Sequence, residues 1–199
     1  MPKLFDSINI KNIKIKNRIV LPPLVRFSMV GKDGFVTDRV VEWYRDVCVG
    51  GTGLVIVEAS AVAEDGKLRD NQLGIWDDKF IAGLKRIADI CHEYEVPVLI
   101  QLHHAGFKDK IKDVPEHILD EILESFKRAF RRAREAGFDG IEIHGAHTYL
   151  ISQLNSRLWN LRDDKYGGTF EKRMYFSKRL IEETRELFND DFILGYRMG

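Results

Sequence analysis

Five short apolar segments alternate with four amphipathic segments along the chain, and this alternation constrains the fold more than any other feature. The apolar segments start near residues 18, 54, 96, 140 and 192. The run from Gly53 to Glu58 is apolar almost without interruption, which is typical of a strand buried on both faces of a parallel sheet. Strands separated by helices predict right-handed parallel crossovers. Two architectures satisfy this pattern: a (β/α)8 TIM barrel truncated to about five strands and four helices, or an open, flavodoxin-like parallel sheet.

Capping residues and periodicity set the expected helix boundaries. Thr37 is the predicted N-cap of a helix that runs to Val49 and stops at Gly50-Gly51. Helical spacing predicts three further helices, over about residues 78–94, 115–136 and 170–187. A small hairpin over residues 8–15 is expected to cap the core, and a polar loop is expected to lead from the fourth strand through Gly168.

Composition places the chain among ordinary globular proteins. Its 199 residues are 44% hydrophobic and 31% charged, which suits a single domain over residues 1–199. Lys+Arg and Asp+Glu number 31 each, so the net charge of zero does not favour a nucleic-acid partner. Cys48 and Cys91 give neither a disulfide framework nor a metal-ligand spacing, and no signal peptide or membrane-spanning run is present. These features predict a cytoplasmic protein without membrane contact.

Polar side chains follow the predicted strands at their carboxyl ends. His144, His147 and Tyr149 end the fourth strand, Gln101 lies on the third and Arg197 on the fifth. Because the carboxyl ends of parallel strands meet on one rim, these side chains are expected to share one site. Two imidazole donors beside a phenol suit a substrate that needs one oxygen polarised and one carbon protonated.

Each of these residues also has an ordinary structural interpretation. Gln101 can simply cap its strand, Arg197 can form a surface ion pair, and Pro22-Pro23 can act only as a strand breaker. The two histidines can be satisfied by backbone carbonyls, or they can bind a metal together with Glu142. A metal-dependent hydrolase on a barrel is therefore an alternative to an enzyme that polarises and protonates its substrate.

Six motifs, in order along the chain, resemble those of the old yellow enzyme family. They are Lys16–Val20, Val57–Val62, Leu73–Trp76, Gln101–Gly106, His144–Leu150, and Tyr166–Gly168 with Arg173. The resemblance covers nearly the whole chain and corresponds to the N-terminal half or more of such an enzyme. It implies an FMN-dependent ene-reductase or NADH:flavin oxidoreductase on a TIM barrel, with NADH or NADPH as the reductant.

The resemblance implies a set of cofactor-binding residues. Gln101 would hydrogen-bond the pyrimidine edge of the flavin, and Arg197 would lie near its N1/O2 side. Backbone contacts to the isoalloxazine ring are implied for Pro22, Pro23, Leu24, Val25 and Ala59. The family usually has Cys or Thr at the position of Val25, so this departure implies a different flavin redox potential.

The resemblance also implies the substrate side of the site. His144 and His147 would hold the oxygen of a small α,β-unsaturated carbonyl or similar activated alkene, and Tyr149 would protonate its α-carbon. Phe27 would face the substrate, where one branch of the family has a tyrosine. After Gly106 the family usually continues with Arg and a longer loop, whereas this chain has Phe107 and a shorter one.

The family's later strands, which carry the Gly-rich site for the FMN phosphate, have no counterpart among these 199 residues. A five-stranded half barrel has two unpaired strand edges and an exposed apolar interior. The chain is therefore expected to pair with a complementing C-terminal half chain or to form a homo-oligomer. The alternative is a non-catalytic half barrel that binds flavin weakly or not at all.

Overall fold

A parallel sheet of five strands forms the centre of the computed structural model, which describes residues 1–187 and 191–199. An antiparallel hairpin, β1 (Ile8–Ile10) and β2 (Ile13–Ile15), precedes the sheet. The sheet strands are β3 (Val20–Leu21), β4 (Leu54–Ala61), β5 (Val98–His103), β6 (Gly140–Gly145) and β7 (Ile193–Met198).

The strand order in the sheet is β3-β4-β5-β6-β7, so each strand lies beside its neighbours in sequence. All four pairs are parallel, and the sheet curls as half a barrel. A doubly wound sheet instead reverses its order at a switch point. The prediction of a truncated (β/α)8 barrel is therefore confirmed, and the flavodoxin-like alternative is wrong.

Six helices and two 3₁₀ turns connect the strands in the described part of the chain. The helices are α1 (Asp38–Val49), α2 (Ile81–Glu93), α3 (Glu116–Glu135), α4 (Leu150–Asn155), α5 (Phe170–Arg173) and α6 (Tyr175–Leu187). The 3₁₀ turns are Asp78–Phe80 and Lys108–Asp113. As predicted, the Thr37 side chain caps α1 by accepting from Val40 N, and Gly137 follows α3 with a φ of 87°.

The predicted first strand is shortened to two residues. Asn17 turns the chain just before it, because its Oδ1 accepts from Ile19 N at 3.0 Å and its Nδ2 donates to Gly51 O at 2.8 Å. Side-chain bonds of this kind offer the backbone an alternative to a ladder. Only Val20 and Leu21 therefore pair with β4.

Two helix predictions between β6 and β7 also need correction. The expected polar loop begins with α4, whose Leu150, Ile151 and Leu154 are buried. The expected helix over residues 170–187 is divided at Met174 into α5 and α6. Its first turn is fixed by Arg173, which donates to the carbonyls of Asn155 and Gly168 on the preceding segments.

The inner face of the sheet is apolar at one end and polar at the other. Ile15, Leu54, Leu99 and Ile193 form a small buried cluster to which Ile13 adds, so the hairpin caps this end of the core as predicted. Because side chains alternate along a strand, the inward positions after Leu99 are Gln101 and His103. In β6 they are Glu142 and His144, which lie opposite Gly195 and Arg197 of β7.

The outer face carries the main core, in which the helices bury apolar stripes against the strands. Within residues 1–187 and 191–199, none of the helices combines the length and the apolar character that crossing a membrane requires.

Candidate active site

The polar end of the inner face brings several of the predicted site residues together. Gln101 Nε2 donates to Glu142 Oε1 at 2.7 Å, across neighbouring strands that place these residues in register. His144 lies opposite Arg197. Burial raises the pKa of Glu142, and the positive charge of Arg197 opposes this shift in part. Burial lowers the pKa of His144, and the charge of Arg197 lowers it further.

His144 is a neutral donor with a defined tautomer. The backbone N–H of Ala146 donates to His144 Nδ1 at 3.3 Å, so this nitrogen accepts and the proton is on Nε2. Burial lowers the pKa of His144 to about 4, with smaller contributions from His147 and Arg197, so the ring is uncharged near pH 7. His144 Nε2 lies 3.4 Å from His147 Nδ1.

The turn after β6 holds an unusual backbone conformation. His147 and Thr148 have φ values of 57° and 58°, in the left-handed region that costs non-glycine residues about 1–2 kcal/mol each. Such outliers persist where the surrounding structure fixes them, and they cluster at functional sites. This turn leaves the His147 side chain exposed and directs Tyr149 back against His144, with ring centroids 5.0 Å apart and nearly perpendicular.

His103 is a site residue that sequence reasoning missed. Its ring centroid lies 4.5 Å from that of Tyr149 and 5.5 Å from that of His144. The residue is 1% exposed, and its Nε2 has no hydrogen-bond partner among the residues that the structure describes. The signal was present in the sequence, because His103 follows Gln101 by two residues and therefore shares its face of the strand.

The loop after β3 contains the segment that resembles a flavin-binding region. Pro22 and Leu24 are exposed, whereas Pro23 and Val25 are half-buried. Within the described part of the chain, no hydrogen bond uses the backbone N–H of Leu24 or Val25. These donors are therefore available to a ligand on the rim.

Glu58, at the carboxyl end of β4, fixes this loop. Its Oε2 accepts from the backbone N–H of Arg26 at 2.9 Å, and Asn71 donates to the carbonyl of Phe27 from the following loop. Burial raises the pKa of Glu58 to about 7, against the opposing effects of the Arg26 N–H bond and charge. The next residue, Ala59, is buried, and its carbonyl accepts from Gln72 Nε2 at 2.7 Å.

A cleft of about 820 Å³ lies beside this rim, between β7, α4 and α6. Gly145, Tyr196 and Met198 are among the residues that line it. A Cβ at Gly145 would lie 2.6 Å from the Tyr196 hydroxyl, so only glycine permits this approach. The cleft is lined by neither Gln101 nor His144, and it is therefore separate from the polar rim.

A metal centre was the rival interpretation of the two histidines and Glu142. Among the residues that the structure describes, no group of three or more His, Cys, Asp or Glu side chains is arranged to hold a metal ion. Glu142 is instead engaged with Gln101.

Comparison with known proteins agrees with the barrel fold and identifies the family. The family model of the NADH:flavin oxidoreductase / NADH oxidase family matches residues 3–119 and 112–199. An NADPH dehydrogenase of Listeria monocytogenes is 38% identical over 213 residues, which cover 98% of this chain and 63% of that enzyme.

Solved structures agree on the fold. The old yellow enzyme homologue from Zymomonas mobilis superposes with a TM-score of 0.88 at 25% identity, covering 98% of this chain and 63% of that one. A 2-naphthoyl-CoA reductase in complex with 2-naphthoyl-CoA superposes with a TM-score of 0.92 at 25% identity, covering 98% of this chain and 35% of that one.

The sequential parallel sheet, with its polar carboxyl rim, places the chain in the (β/α)8-barrel class. More specifically, the chain belongs to the NADH:flavin oxidoreductase / NADH oxidase family. It spans about three-fifths of the length of the curated relative described above. The resemblance to old yellow enzymes is confirmed, and the expectation of FMN with a nicotinamide reductant is confirmed at the level of the family.

Proposed function

We propose that this chain forms the flavin-ring and substrate side of an FMN-dependent oxidoreductase of the ene-reductase type. The reaction would transfer hydride from NADH or NADPH, through FMN, to the activated C=C bond of a small α,β-unsaturated carbonyl compound. The observation that carries the proposal is the cluster of His103, His144, His147 and Tyr149 beside Gln101 and Arg197, because imidazole donors and a phenol meet there at the barrel rim.

The residues present fit the ring system of a flavin. Gln101 donates one amide hydrogen to Glu142, which leaves its second N–H and its carbonyl oxygen for the pyrimidine edge. Arg197 supplies a cation at the same level of the sheet, suited to negative charge on a reduced flavin. The segment Pro22–Val25 and the buried Ala59 would provide backbone contacts. When bound, FMN would supply the hydride-transfer chemistry that no amino-acid side chain provides.

The substrate side follows from the two histidines and the tyrosine. His144, with its proton on Nε2, and the exposed His147 would donate to the carbonyl oxygen and draw electron density from the C=C bond. Tyr149 packs against His144 and would give its hydroxyl proton to the α-carbon. Phe27, in the loop held by Asn71, would border the substrate.

We further propose that additional β/α units cover the open side of this half barrel, supplied by a complementing chain or by a homo-oligomer. The outer strand β7 pairs only with β6 in the described part of the chain. The cleft beside β7 also has an apolar surface of exposed side chains, formed by Trp159, Phe170 and Met198. A single domain over residues 1–199 would form one unit of that assembly, in the cytoplasm, where Cys48 and Cys91 stay as free thiols.

The visible spectrum of the purified protein, supplemented with FMN under anaerobic conditions, tests this function. We expect flavin to co-purify or bind, to bleach with NADPH or NADH, and to be reoxidised by 2-cyclohexenone. Gln101→Leu should weaken FMN binding, whereas the exposed Arg157→Met should not. A colourless protein that does not bind added FMN would contradict the proposal and favour the non-catalytic half barrel. Activity that is lost to a chelator would favour the hydrolase.

Light scattering with size-exclusion chromatography tests the assembly. We expect a dimer or higher species, or association with a complementing chain, because the apolar surface beside β7 favours burial. A compact, stable monomer would contradict this part of the proposal.

A further inference from the structure

Gln72 is a fully buried polar residue whose amide orientation is fixed by its partners. Its Oε1 accepts from Leu68 N at 2.6 Å, and its Nε2 donates to the carbonyl of Ala59 at 2.7 Å. A backbone N–H can only donate and a carbonyl can only accept, so oxygen and nitrogen of the amide cannot be exchanged. The second hydrogen of Nε2 then faces His103 Nδ1, at 3.1 Å.

This contact determines the tautomer of His103. Since Nδ1 accepts the Gln72 hydrogen, the proton of the neutral ring is on Nε2. Burial, with smaller effects from His144 and His104, holds the pKa of His103 well below its usual value, so the ring stays neutral. His103 therefore presents a buried N–H that has no hydrogen-bond partner among the described residues. Such a donor is costly to leave unpaired.

Of the two aromatic side chains that contact His103 in the described part of the chain, one has a free hydrogen-bond acceptor. His144 offers none, because its Nδ1 accepts from Ala146 N and its Nε2 carries the proton. The Tyr149 ring lies at 4.5 Å and 87° to the His103 ring, and within the described part of the chain its hydroxyl makes no hydrogen bond. The two rings are in contact, so Tyr149 is the ring neighbour whose hydroxyl oxygen we assign to this donor.

We propose that His103 is a positioning residue of this site, held by Gln72 as the Nε2–H tautomer so that it donates to the hydroxyl oxygen of Tyr149. This inference rests on the proposed function. A phenol that accepts from His103 keeps its own hydrogen directed away from that bond and towards the substrate. The Gln72–His103–Tyr149 series also connects to the backbone of Ala59, which borders the flavin-ring side of the rim.

The same bond has a consequence for the reaction. As hydride adds to the β-carbon, the electron pair of the C=C bond takes the Tyr149 proton at the α-carbon, and the O–H bond breaks. The negative charge left on the phenolic oxygen is then stabilised by the His103 N–H until water returns a proton. Hydrogen bonds to charged groups contribute about 1.5–3 kcal/mol, which corresponds to about 10–100-fold in rate.

Histidine ¹⁵N NMR on the purified chain tests the tautomer without any cofactor. We expect His103 to carry its proton on Nε2, and Gln72→Glu to move it to Nδ1, because an ionised carboxylate can only accept. His104 is an internal control, since its Nδ1 accepts from Gly106 N at 3.0 Å and should not respond. A wild-type His103 that is charged at neutral pH, or is protonated on Nδ1, would overturn the proposal.

Separate half-reactions of the flavin-loaded protein test the function of the bond. We expect His103→Leu to slow reoxidation by 2-cyclohexenone about 10–100-fold, while reduction by NADPH stays within about twofold. His103→Gln can both accept from Gln72 and donate to Tyr149, so it should recover most of the loss and remains informative if Gln72→Glu folds poorly. Equal effects on both half-reactions, or none, would overturn the positioning role. A chain that takes no flavin would contradict the proposed function, and the NMR result would still decide the tautomer.

Discussion

Two polar regions of this molecule both carry motifs that resemble one family, yet they differ in how their hydrogen bonds are satisfied. In the loop between α4 and α5, buried Arg162 donates to the carbonyls of Ile111 and Val114, at 2.6 Å each, and pairs with Asp164. Asn160 donates to two further carbonyls, and Tyr166 donates to Asp120 at 2.6 Å. Polar groups in this loop are thus paired within the protein.

The rim at the ends of β5 and β6 shows the opposite. His103 Nε2 has no partner, Tyr149 makes no hydrogen bond in the described part of the chain, and His147 and Thr148 hold left-handed backbone. A buried polar group that is paired stabilises the fold, whereas one left unpaired costs free energy that a ligand can recover. This difference indicates that the loop motif stabilises the scaffold, whereas the rim keeps polar groups that a ligand can pair with.

The largest expected effect comes from breaking the paired region. Arg162→Met would leave two buried carbonyls without their donor and Asp164 without its cationic partner, and should lower the free energy of unfolding by about 3–5 kcal/mol. Urea unfolding measures this, with exposed Arg157→Met as the matched control. Equal midpoints for the two variants would show that the loop motif does not support the scaffold.

The next largest effect is a pH dependence of the free energy of unfolding, caused by His144 in the rim. The pKa of His144 is lowered to about 4 by burial, whereas an unfolded histidine titrates near 6.5. Between these values the unfolded state binds a proton that the folded state does not, so stability falls as pH is lowered from about 6.5 to 4. The linkage amounts to on the order of 3 kcal/mol across that window.

Urea unfolding at pH 7 and pH 5 measures it in the wild type and in His144→Asn, whose side-chain oxygen can still accept from Ala146 N. His103 and His104 contribute to the pH dependence of both proteins, so the variant should still lose stability on acidification. The loss should be smaller than in the wild type, because the contribution of His144 is gone. Parallel pH profiles would contradict the buried, neutral state of His144.

A pair of tyrosines compares the two regions directly. Tyr166→Phe removes a bond to Asp120 and should cost about 1–2 kcal/mol of unfolding free energy. Tyr149→Phe removes only the proposed acceptor of the neutral His103 N–H and should cost less, about 0.5–1 kcal/mol. Thermal and urea unfolding of both variants checks this. An equal or larger loss in Tyr149→Phe would contradict the difference between the two regions.

The smallest effect concerns the turn after β6. Thr148→Gly should raise the free energy of unfolding by less than about 1 kcal/mol, since glycine adopts a φ of 58° without strain but loses more entropy on folding. Thr169→Gly, at a φ of −68°, removes the cap of α5 and should lower it instead. Differential scanning calorimetry measures whether each variant gains or loses stability. A loss of stability in Thr148→Gly would argue against strain in this turn.

Local patterns predicted most of the fold and part of the site. The apolar runs predicted β4 and β5, Thr37 predicted the start of α1, and the shared rim of parallel strands predicted that His144 lies near Arg197. These features depend on neighbouring residues or on the regular geometry of a parallel sheet.

The remainder depends on contacts between distant segments. The division at Met174 follows from Arg173 reaching back to Asn155, and the state of His103 follows from Gln72 on another loop. No local pattern contains either contact, because each is formed only when the barrel is assembled. His103 itself was within reach of sequence reasoning, since strand alternation puts it on the same face as Gln101.

The central claim is that the unsatisfied rim binds an oxygen-bearing ligand over the flavin. Titration of the FMN-loaded protein with a phenol, followed by the flavin absorbance, tests this most directly. The wild type should show a saturable spectral change, and replacement of both His144 and His147 by Ala should abolish it while FMN stays bound. Unchanged phenol binding by the double variant would contradict the account.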